Sequence, residues 1–320
     1  MSSPQTPAKR TPTYKEAAAA WTHVWGEALV SIQPGRPMYR LVQAWWEEQL
    51  RQFAPPSAVL EIGAGVSAQP ARCAAALWPQ ALVVASDYRA VRLSEAAQPA
   101  GPALCQVAGA VIERLPFASG TIDVVLSQFA FEYAATPAAL LELTRILRPG
   151  GAARLLVHHA GSLYAQYLEH RIACLGVGAR LARAVFERGS SAKQWSARVT
   201  RNIQRVVRLA VLYADPTPYP KIAADLNDFL TIGRWATAHG RDARLDTNAA
   251  ALLLECEPAL HIAQAQQAAA LSRQQLEALL DDCRRHGFLA EARTFGQAGA
   301  TLPFCWAVRL DACAMPQSRP

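Results

Sequence analysis

Between residues 58 and 158, short apolar runs alternate with helix-patterned stretches, and this alternation constrains the chain more than any other feature. Strand-like runs occur at Ala58–Ile62, Ala81–Ser86, Ala103–Val107, Ile122–Ser127 and Ala152–His158. Helix-like stretches at Ser67–Leu77, Arg89–Ala97 and Pro137–Leu147 separate several of them. Strands alternating with helices predict a parallel sheet covered on both faces. The last of these helices runs into Arg148-Pro149-Gly150-Gly151, where glycine can take the left-handed cap conformation and proline stops the helix. Two more strand candidates, Leu289–Phe295 and Phe304–Leu310, follow late in the chain and need two further places in the sheet.

The flanking segments are helical. Thr13 and Glu16 have capping-box spacing, so a helix is expected from Tyr14, with Trp21, Val24, Trp25, Ala28, Leu29 and Ile32 on one face. Pro34–Pro37 breaks it. A second helix is expected from Met38 to Phe53, carrying Leu41, Val42, Trp45 and Trp46, and Pro55-Pro56 ends it. The four tryptophans read first as core packing and second as the wall of an apolar pocket. From Gly161 to about Ala270 the pattern is helical only, at Ser162–Arg188, Lys193–Tyr213 and Lys221–His239, with a polar loop at 240–246. That length is too great for a loop, so it is a helical insert with its own packing. Ser272 and Gln275 form another capping-box pair, opening a helix that runs to His286. The expected organisation is a flexible tail (1–13), an N-terminal helical cap (14–53), a nucleotide-binding core (54–160), a helical insert (161–270) and the end of the core sheet (271–320).

Composition narrows the class. A 320-residue chain that is 52% hydrophobic sustains a substantial core. The Pro/Ser/Thr-rich start has no apolar run and reads as a tail, not a secretory signal. No stretch approaches the roughly 18 uncharged apolar residues of a membrane span. The seven cysteines are scattered, without CxxC or zinc spacing, which points to reduced thiols in a cytoplasmic protein and to no metal site. The formal charge is +7, unevenly spread: nine basic residues stand against Glu187 alone between Arg171 and Arg208. Arg198, Arg201, Arg205 and Arg208 recur at helical spacing. Such a stripe reads as a solvated face, with an acidic acceptor or another anionic partner as the alternative. Nucleic acid is not expected, since no recognisable RNA-binding module accompanies it.

The stretch VLEIGAGVSAQP (59–70) carries the first chemical signal. Gly63 and Gly65 can bend the chain and let backbone N–H groups, with that of Ala64, approach a ligand. The helix that follows aims its positive end into the same crevice. A tight turn without a ligand is the bland alternative. Asp87, 24 residues after Gly63, ends the second strand, where an acid accepts hydrogen bonds from ribose hydroxyls; otherwise it caps the next helix. Tyr88 beside it suits an adenine face. Gly63-x-Gly65-x-x-Ala68 also satisfies the relaxed dinucleotide fingerprint, so nicotinamide-dependent oxidoreduction and methyl transfer both remain open on these residues. Glu61, two residues before the first glycine, would repel a pyrophosphate and instead suits a ligand's amino-acid end or braces the loop.

LEIGAG (60–65), ASD (85–87), ERLPF and TIDVVLS (113–127), LTRILRPGG (143–151) and the terminal GF…PFCWAVRL (287–310) together resemble the class I S-adenosylmethionine-dependent methyltransferases. The resemblance covers about half of the chain. It implies a Rossmann-like α/β fold, a seven-stranded, mostly parallel sheet with an antiparallel last strand, to which the N-terminal helices and the helical insert are added. It implies S-adenosyl-L-methionine as cofactor. Glu61, Gly63 and Gly65 would line the methionine and ribose side, Asp87 the ribose and Tyr88 the adenine, with Ser127 and Gln128 beneath the methionine. Where family members often carry an acid toward adenine, this chain has Val111, so backbone groups around Val111–Ile112 would take that role, with Glu113 the nearest acid.

Methyl transfer is an in-line displacement in which alignment and exclusion of water do much of the work. A base is needed only if the acceptor must lose a proton. Glu132 and Tyr133 follow strand four and His158 and His159 end strand five, both places that face the methyl in this fold. The two histidines alternate, so at most one points inward; a structural histidine is the other reading of each. The expectation is methyl transfer to oxygen or nitrogen of a small or medium-sized organic acceptor beneath a helical cap. The alternatives are a nicotinamide-dependent oxidoreductase and a non-catalytic methyltransferase-like binding module.

Overall fold

The computed structural model describes residues 37–89, 104–134, 137–187, 191–217, 219–297 and 299–313. The helix expected from Tyr14, with Trp21 and Trp25, and nearly all of the helix expected at Arg89–Ala97 lie outside them. The chain divides into two compact units, one of Tyr164–Ala268 and one of the described parts of Trp25–Leu163 and Ala269–Pro320.

The larger of these opens with α1 (Pro37–Leu50) and β1 (Ala58–Ile62). There follow α2 (Gln69–Leu77), β2 (Leu82–Asp87), β3 (Cys105–Ala108) and β4 (Ile122–Gln128). A 3₁₀ turn (Phe131–Tyr133) leads to α3 (Pro137–Ile146) and β5 (Leu147–His158). The sheet order is β3-β2-β1-β4-β5-β7-β6, counting the two late strands β6 (Phe288–Phe295) and β7 (Cys305–Ala312). Neighbours among β1 to β5 are parallel, and β7 runs antiparallel to both β5 and β6. This is the expected seven-stranded sheet with an antiparallel last strand.

Central strands β1 and β4 are almost continuously apolar and buried, as a sheet covered on both faces requires. Asp123, at the start of β4, is a buried polar residue with a structural purpose. Its Oδ2 accepts from the Ser57 and Ala58 N–H groups at 2.6 and 2.7 Å, and Arg148 Nε reaches its Oδ1 at 2.6 Å. The Arg148–Gly151 segment does not leave α3 as a separate loop. It enters the leading end of β5 as an irregularity, where Ile122 pairs with Leu147 but Val124 pairs with Ala152. Gly150 has φ +76°, but it lies within β5 and does not cap α3, which ends at Ile146. Trp45 and Trp46 are buried core residues, ring centroids 4.7 Å apart and edge to face.

The ERLPF and LTRILRPGG motifs meet in space. Glu142 Oε1 accepts from the Leu115 N–H at 2.5 Å, and Arg145 donates to the carbonyls of Phe117 (2.8 Å) and Leu115 (3.1 Å) while pairing with Glu142. The Arg145 hydrogen bond is the main cause that holds the Glu142 carboxyl below the usual range. One Arg–Glu pair therefore pins the loop before β4 to α3.

The second unit holds α5 (Ala192–Leu212) and α6 (Pro220–His239) with nearly all of α4 (Leu163–Phe186) and α7 (Ala243–Ala269). Helix α7 starts within the stretch expected to be the polar loop, since Asp242 caps it by accepting from the Leu245 N–H at 2.6 Å. Leu181, Val185, Val206, Ile222, Leu226 and Leu245 form its core. Two glycines permit the helices to close: a Cβ on Gly178 would sit 2.5 Å from the Phe229 ring, and one on Gly233 would sit 2.7 Å from Ile203. After α7 the chain returns to the first unit through α8 (Arg273–Arg285), whose Ser272–Gln275 capping box forms as expected.

Candidate active site

In an open parallel sheet, ligands bind outside the carboxyl ends of the strands where the winding reverses. Here that place lies between β1 and β4, because the chain runs outward through β2 and β3 before returning to β4. The ends of β1, β2, β4 and β5 bring Glu61, Asp87, Gln128 and His158 to the same edge.

The glycine loop is conformationally forced. Gly63 and Gly65 have φ of +68° and +53°. A Cβ on Gly63 would lie 2.2 Å from the Cβ of Ala130, which follows β4. The Ala64 N–H donates to the Ser86 carbonyl at 3.0 Å, tying the loop to β2. Ala68, the residue before α2, is itself left-handed (φ 41°) and has no side chain with which to cap the helix. Glu61 supplies that cap from β1: its Oε2 accepts from the Ala71 N–H at 2.8 Å. Glu61 thus ties β1 to the first turn of α2.

Burial pushes the Glu61 carboxyl up to about 8, with the nearby Asp87 adding to the rise and the Ala71 N–H opposing it. The folded state then keeps a proton that the unfolded chain, titrating near 4.5, releases. This contribution to stability is greatest below the unfolded value, declines as pH rises toward about 8 and is level above it. Glu61→Gln keeps an acceptor for Ala71 but has no proton to lose. Its stability relative to the parent chain is expected to rise steadily across that window, read from urea unfolding at a series of pH values. A constant difference would show that Glu61 does not titrate there.

Asp87 is already engaged by the loop. Its Oδ2 accepts from the Gly65 N–H at 3.0 Å and its Oδ1 from the Arg89 N–H at 2.9 Å. Burial raises its pKa, and these N–H groups oppose the rise. Each carboxylate oxygen retains a further acceptor site. Past β3, the Ala110 N–H donates to the Asp87 carbonyl (3.1 Å), and Val111 and Arg114 form a tight turn, so Val111–Glu113 are tethered to the end of β2. Val111 is half-buried and Ile112 buried. Glu113 Oε2 is buried with no hydrogen-bond partner among the described residues, so it has unused acceptor capacity.

Ser127 and Gln128 sit at the end of β4, but their side chains serve neighbours. Ser127 Oγ accepts from the Phe131 N–H at 3.2 Å and holds the 3₁₀ turn. Trp46 Nε1 donates to Gln128 Oε1 at 2.6 Å, Gln128 Nε2 to Gln69 Oε1 at 3.2 Å, and Gln69 Nε2 to the Tyr39 carbonyl at 3.0 Å. This relay joins α1, β4 and the start of α2. Gln69 carries no sequence signal beyond its position at a helix start.

Glu132, Tyr133 and His158 come together. Glu132 Oε1 contacts His158 Nδ1 at 2.5 Å and accepts from the His158 backbone N–H at 3.0 Å, with both residues buried. With Glu132 as a carboxylate, which only accepts, the imidazole proton belongs on Nδ1, leaving Nε2 as the acceptor in the neutral ring. Tyr133 stands edge-on to His158 with centroids 6.2 Å apart, and Phe129 packs over it at 4.7 Å. Phe129 has φ 56°, a strained value for a bulky residue, and also meets Phe304 edge to face at 5.6 Å. Nothing in the residue pattern marks Phe129 for this. Cys305 faces His158 in the β5–β7 ladder; burial pushes its thiol well above the ordinary value, with Glu132 adding to the shift. His159 points elsewhere: it stacks on Trp306 at 4.0 Å, and its Nδ1 accepts from the Gly161 N–H at 2.8 Å. Burial lowers its pKa. The structural reading of His159 fits these contacts, and His158 is the histidine that carries a carboxylate partner.

Three features fit a cofactor with a nucleoside and an amino-acid end: a loop from which a Cβ is sterically barred, a carboxylate at the end of β2, and an orphan acid oxygen on Glu113. Among the described residues no helix is long and apolar enough to cross a membrane. Comparison with known proteins gives one domain match: residues 60–155 match the family model described as "Methyltransferase domain". No curated protein matches. Among solved structures, the CurJ carbon methyltransferase is 14% identical (88% of this chain, 56% of that one, TM-score 0.44). A Haloferax volcanii methyltransferase complex with its Trm112 activator is 23% identical (45% and 61%, TM-score 0.31). The plantazolicin methyltransferase BpumL, bound to S-adenosylhomocysteine, is 10% identical (93% and 95%, TM-score 0.45). The chain thus spans 56% and 61% of the lengths of the first two. At these TM-scores the structural likenesses carry no weight, and the assignment rests on the domain match and on the sheet. A dinucleotide-binding sheet of order 3-2-1-4-5-6 has no antiparallel strand inserted beside its fifth, whereas β7 occupies that place here. Residues 60–155 are therefore a methyltransferase domain, set in a Rossmann-like seven-stranded sheet with an antiparallel last strand.

Proposed function

We propose that this chain methylates an oxygen or nitrogen of a small or medium-sized organic acceptor that loses a proton during transfer. The observation that carries this reading is the buried Glu132–His158 pair at the carboxyl edge of the sheet. When bound, S-adenosylmethionine supplies a methyl group on a sulfonium, already activated for displacement. The residues of this chain bind, orient and deprotonate. His158 Nε2 takes the acceptor proton, and Glu132 keeps the other ring proton on Nδ1 and stabilises the resulting imidazolium. Phe129 and Tyr133 confine the ring and keep water from it. His159 has no part in the proton transfer.

For the cofactor, the assigned contacts are the 63–65 backbone, Asp87 toward the ribose, and Tyr88 with Val111–Glu113 toward the adenine. Glu61 acts by holding the loop against α2, and Ser127 and Gln128 by shaping the floor beneath it. Acceptor choice is assigned to segments outside the matched domain, above all the insert at 161–270. A screen of small-molecule pools with a methyl-labelled donor tests the activity. Label is expected in an O- or N-methyl product; label on carbon alone, or none with any pool, contradicts the reading. Asp87→Ala is expected to weaken S-adenosylhomocysteine binding by about 2–4 kcal/mol, the loss of two hydrogen bonds to a charged acceptor. Unchanged affinity in calorimetry would remove Asp87 from the ribose site.

A further inference from the structure

Arg201, Arg205 and Arg208 form the exposed stripe that their spacing predicts, while other arginines of the insert find acids. Arg198 pairs with Glu187, Arg183 with Glu257 and Arg171 with Asp225. Arg205 and Arg208 instead face a residue of another helix, Arg180 of α4, across an open groove of about 400 Å³. None of these three meets a carboxylate among the described residues. Arg205 has only the neutral Asn202 Oδ1, at 3.1 Å. Arg180 folds back along its own helix over Gly176, where even a Cβ would come within 3.5 Å of its Nη1. Burial lowers the Arg180 pKa, and the charge of Arg205 adds to the effect. The remaining wall is apolar: Ala173 and Val177 from α4, Leu209 and Leu212 from α5. Leu212 and its neighbour Val211 are 76% and 70% exposed.

We propose that this groove is a binding site for an organic phosphate monoester bearing an apolar substituent. Three guanidiniums exceed what one carboxylate neutralises, whereas a phosphate monoester carries about −1.5 to −2 at pH 7 and offers three acceptor oxygens. Guanidinium forks match such oxygens two at a time. The leucine and valine walls sit where a chain attached to the phosphate would run. Every lining residue belongs to the Tyr164–Ala268 unit, so the site is independent of the methyl-transfer reading and is testable without a methyl donor.

The test is calorimetric titration of the full chain with hexyl phosphate, inorganic phosphate, hexanoate and phosphatidylglycerol vesicles. Saturable one-to-one binding of hexyl phosphate is expected, tighter than that of inorganic phosphate, which lacks the chain, and of hexanoate, which lacks the second charge. Arg180→Gln with Arg205→Gln is expected to lower the affinity by at least about tenfold, as loss of charged hydrogen bonds does. Arg208→Gln alone, at an exposed position, should weaken it less, and Arg201→Gln, which is outside the lining, should leave it unchanged. An unaltered thermal transition of the double variant separates lost binding from lost fold; if that variant melts early, Arg208→Gln decides. Absence of saturable hexyl phosphate binding, equal binding by the arginine variants, or binding to vesicles alone would overturn the proposal.

Discussion

His158→Ala is expected to lower turnover by about 10²–10⁴-fold while leaving the affinity for S-adenosylhomocysteine unchanged. The size follows from removing a positioned base whose reaction otherwise depends on alignment alone. The separation of the two readouts follows from geometry: the His158 ring contacts Glu132, Phe129 and Tyr133, which follow β4. Glu132→Gln tests the same pair from the other side. The amide still reaches Nδ1 but does not stabilise an imidazolium, so turnover falls with KM little altered. His159→Ala provides the control, because its ring stacks on Trp306 and supports the chain at Gly161. It should cost stability rather than turnover per folded molecule. Equal turnover in His158→Ala and the parent chain would leave alignment as the whole mechanism.

Gly63→Ala is expected to destabilise the fold by about 2–5 kcal/mol, combining a left-handed penalty with overpacking of a tight contact. It is also expected to reduce cofactor affinity, because any relief must move the loop. The new Cβ would meet Ala130 at 2.2 Å, and both Cβ atoms are fixed to backbone, so neither can swing aside. Ala130→Gly in the same chain removes the collision but not the unfavourable φ of +68°. Partial recovery is therefore predicted for the double variant, measured by urea unfolding and calorimetry. Parent-like stability of Gly63→Ala would show that the loop is not as constrained as its geometry requires.

The sheet was legible in the sequence because its central strands are buried. Runs such as AVLEI and IDVVLSQ have no rival pattern, and the Asp123 and RPGG punctuation falls where β4 and β5 begin. Helix α7 was not legible. Its polar and apolar residues are spread around it, it is rich in alanine and it is interrupted by Pro258, so no single face announces it. The ends of the strands were legible as places, but not the directions of their side chains. Gln128 is turned by Trp46, 82 residues away in the chain, and Ser127 by its own turn. Alternation said that His158 and His159 would part company. Only the positions of Glu132 and Trp306 decide which one acquires a carboxylate and which one an aromatic platform. The arginine stripe was legible as an exposed face, but helical spacing does not tell which arginines find acids and which meet another helix.

The central claim is that the crevice between β1 and β4 holds a methyl donor rather than a dinucleotide. Calorimetric titration of the full chain with S-adenosylhomocysteine and, separately, with NADH and NADPH tests it most directly. One-to-one binding of S-adenosylhomocysteine in the micromolar range or tighter is expected, with no heat from either nicotinamide cofactor. Binding of NADH or NADPH without S-adenosylhomocysteine binding would contradict it.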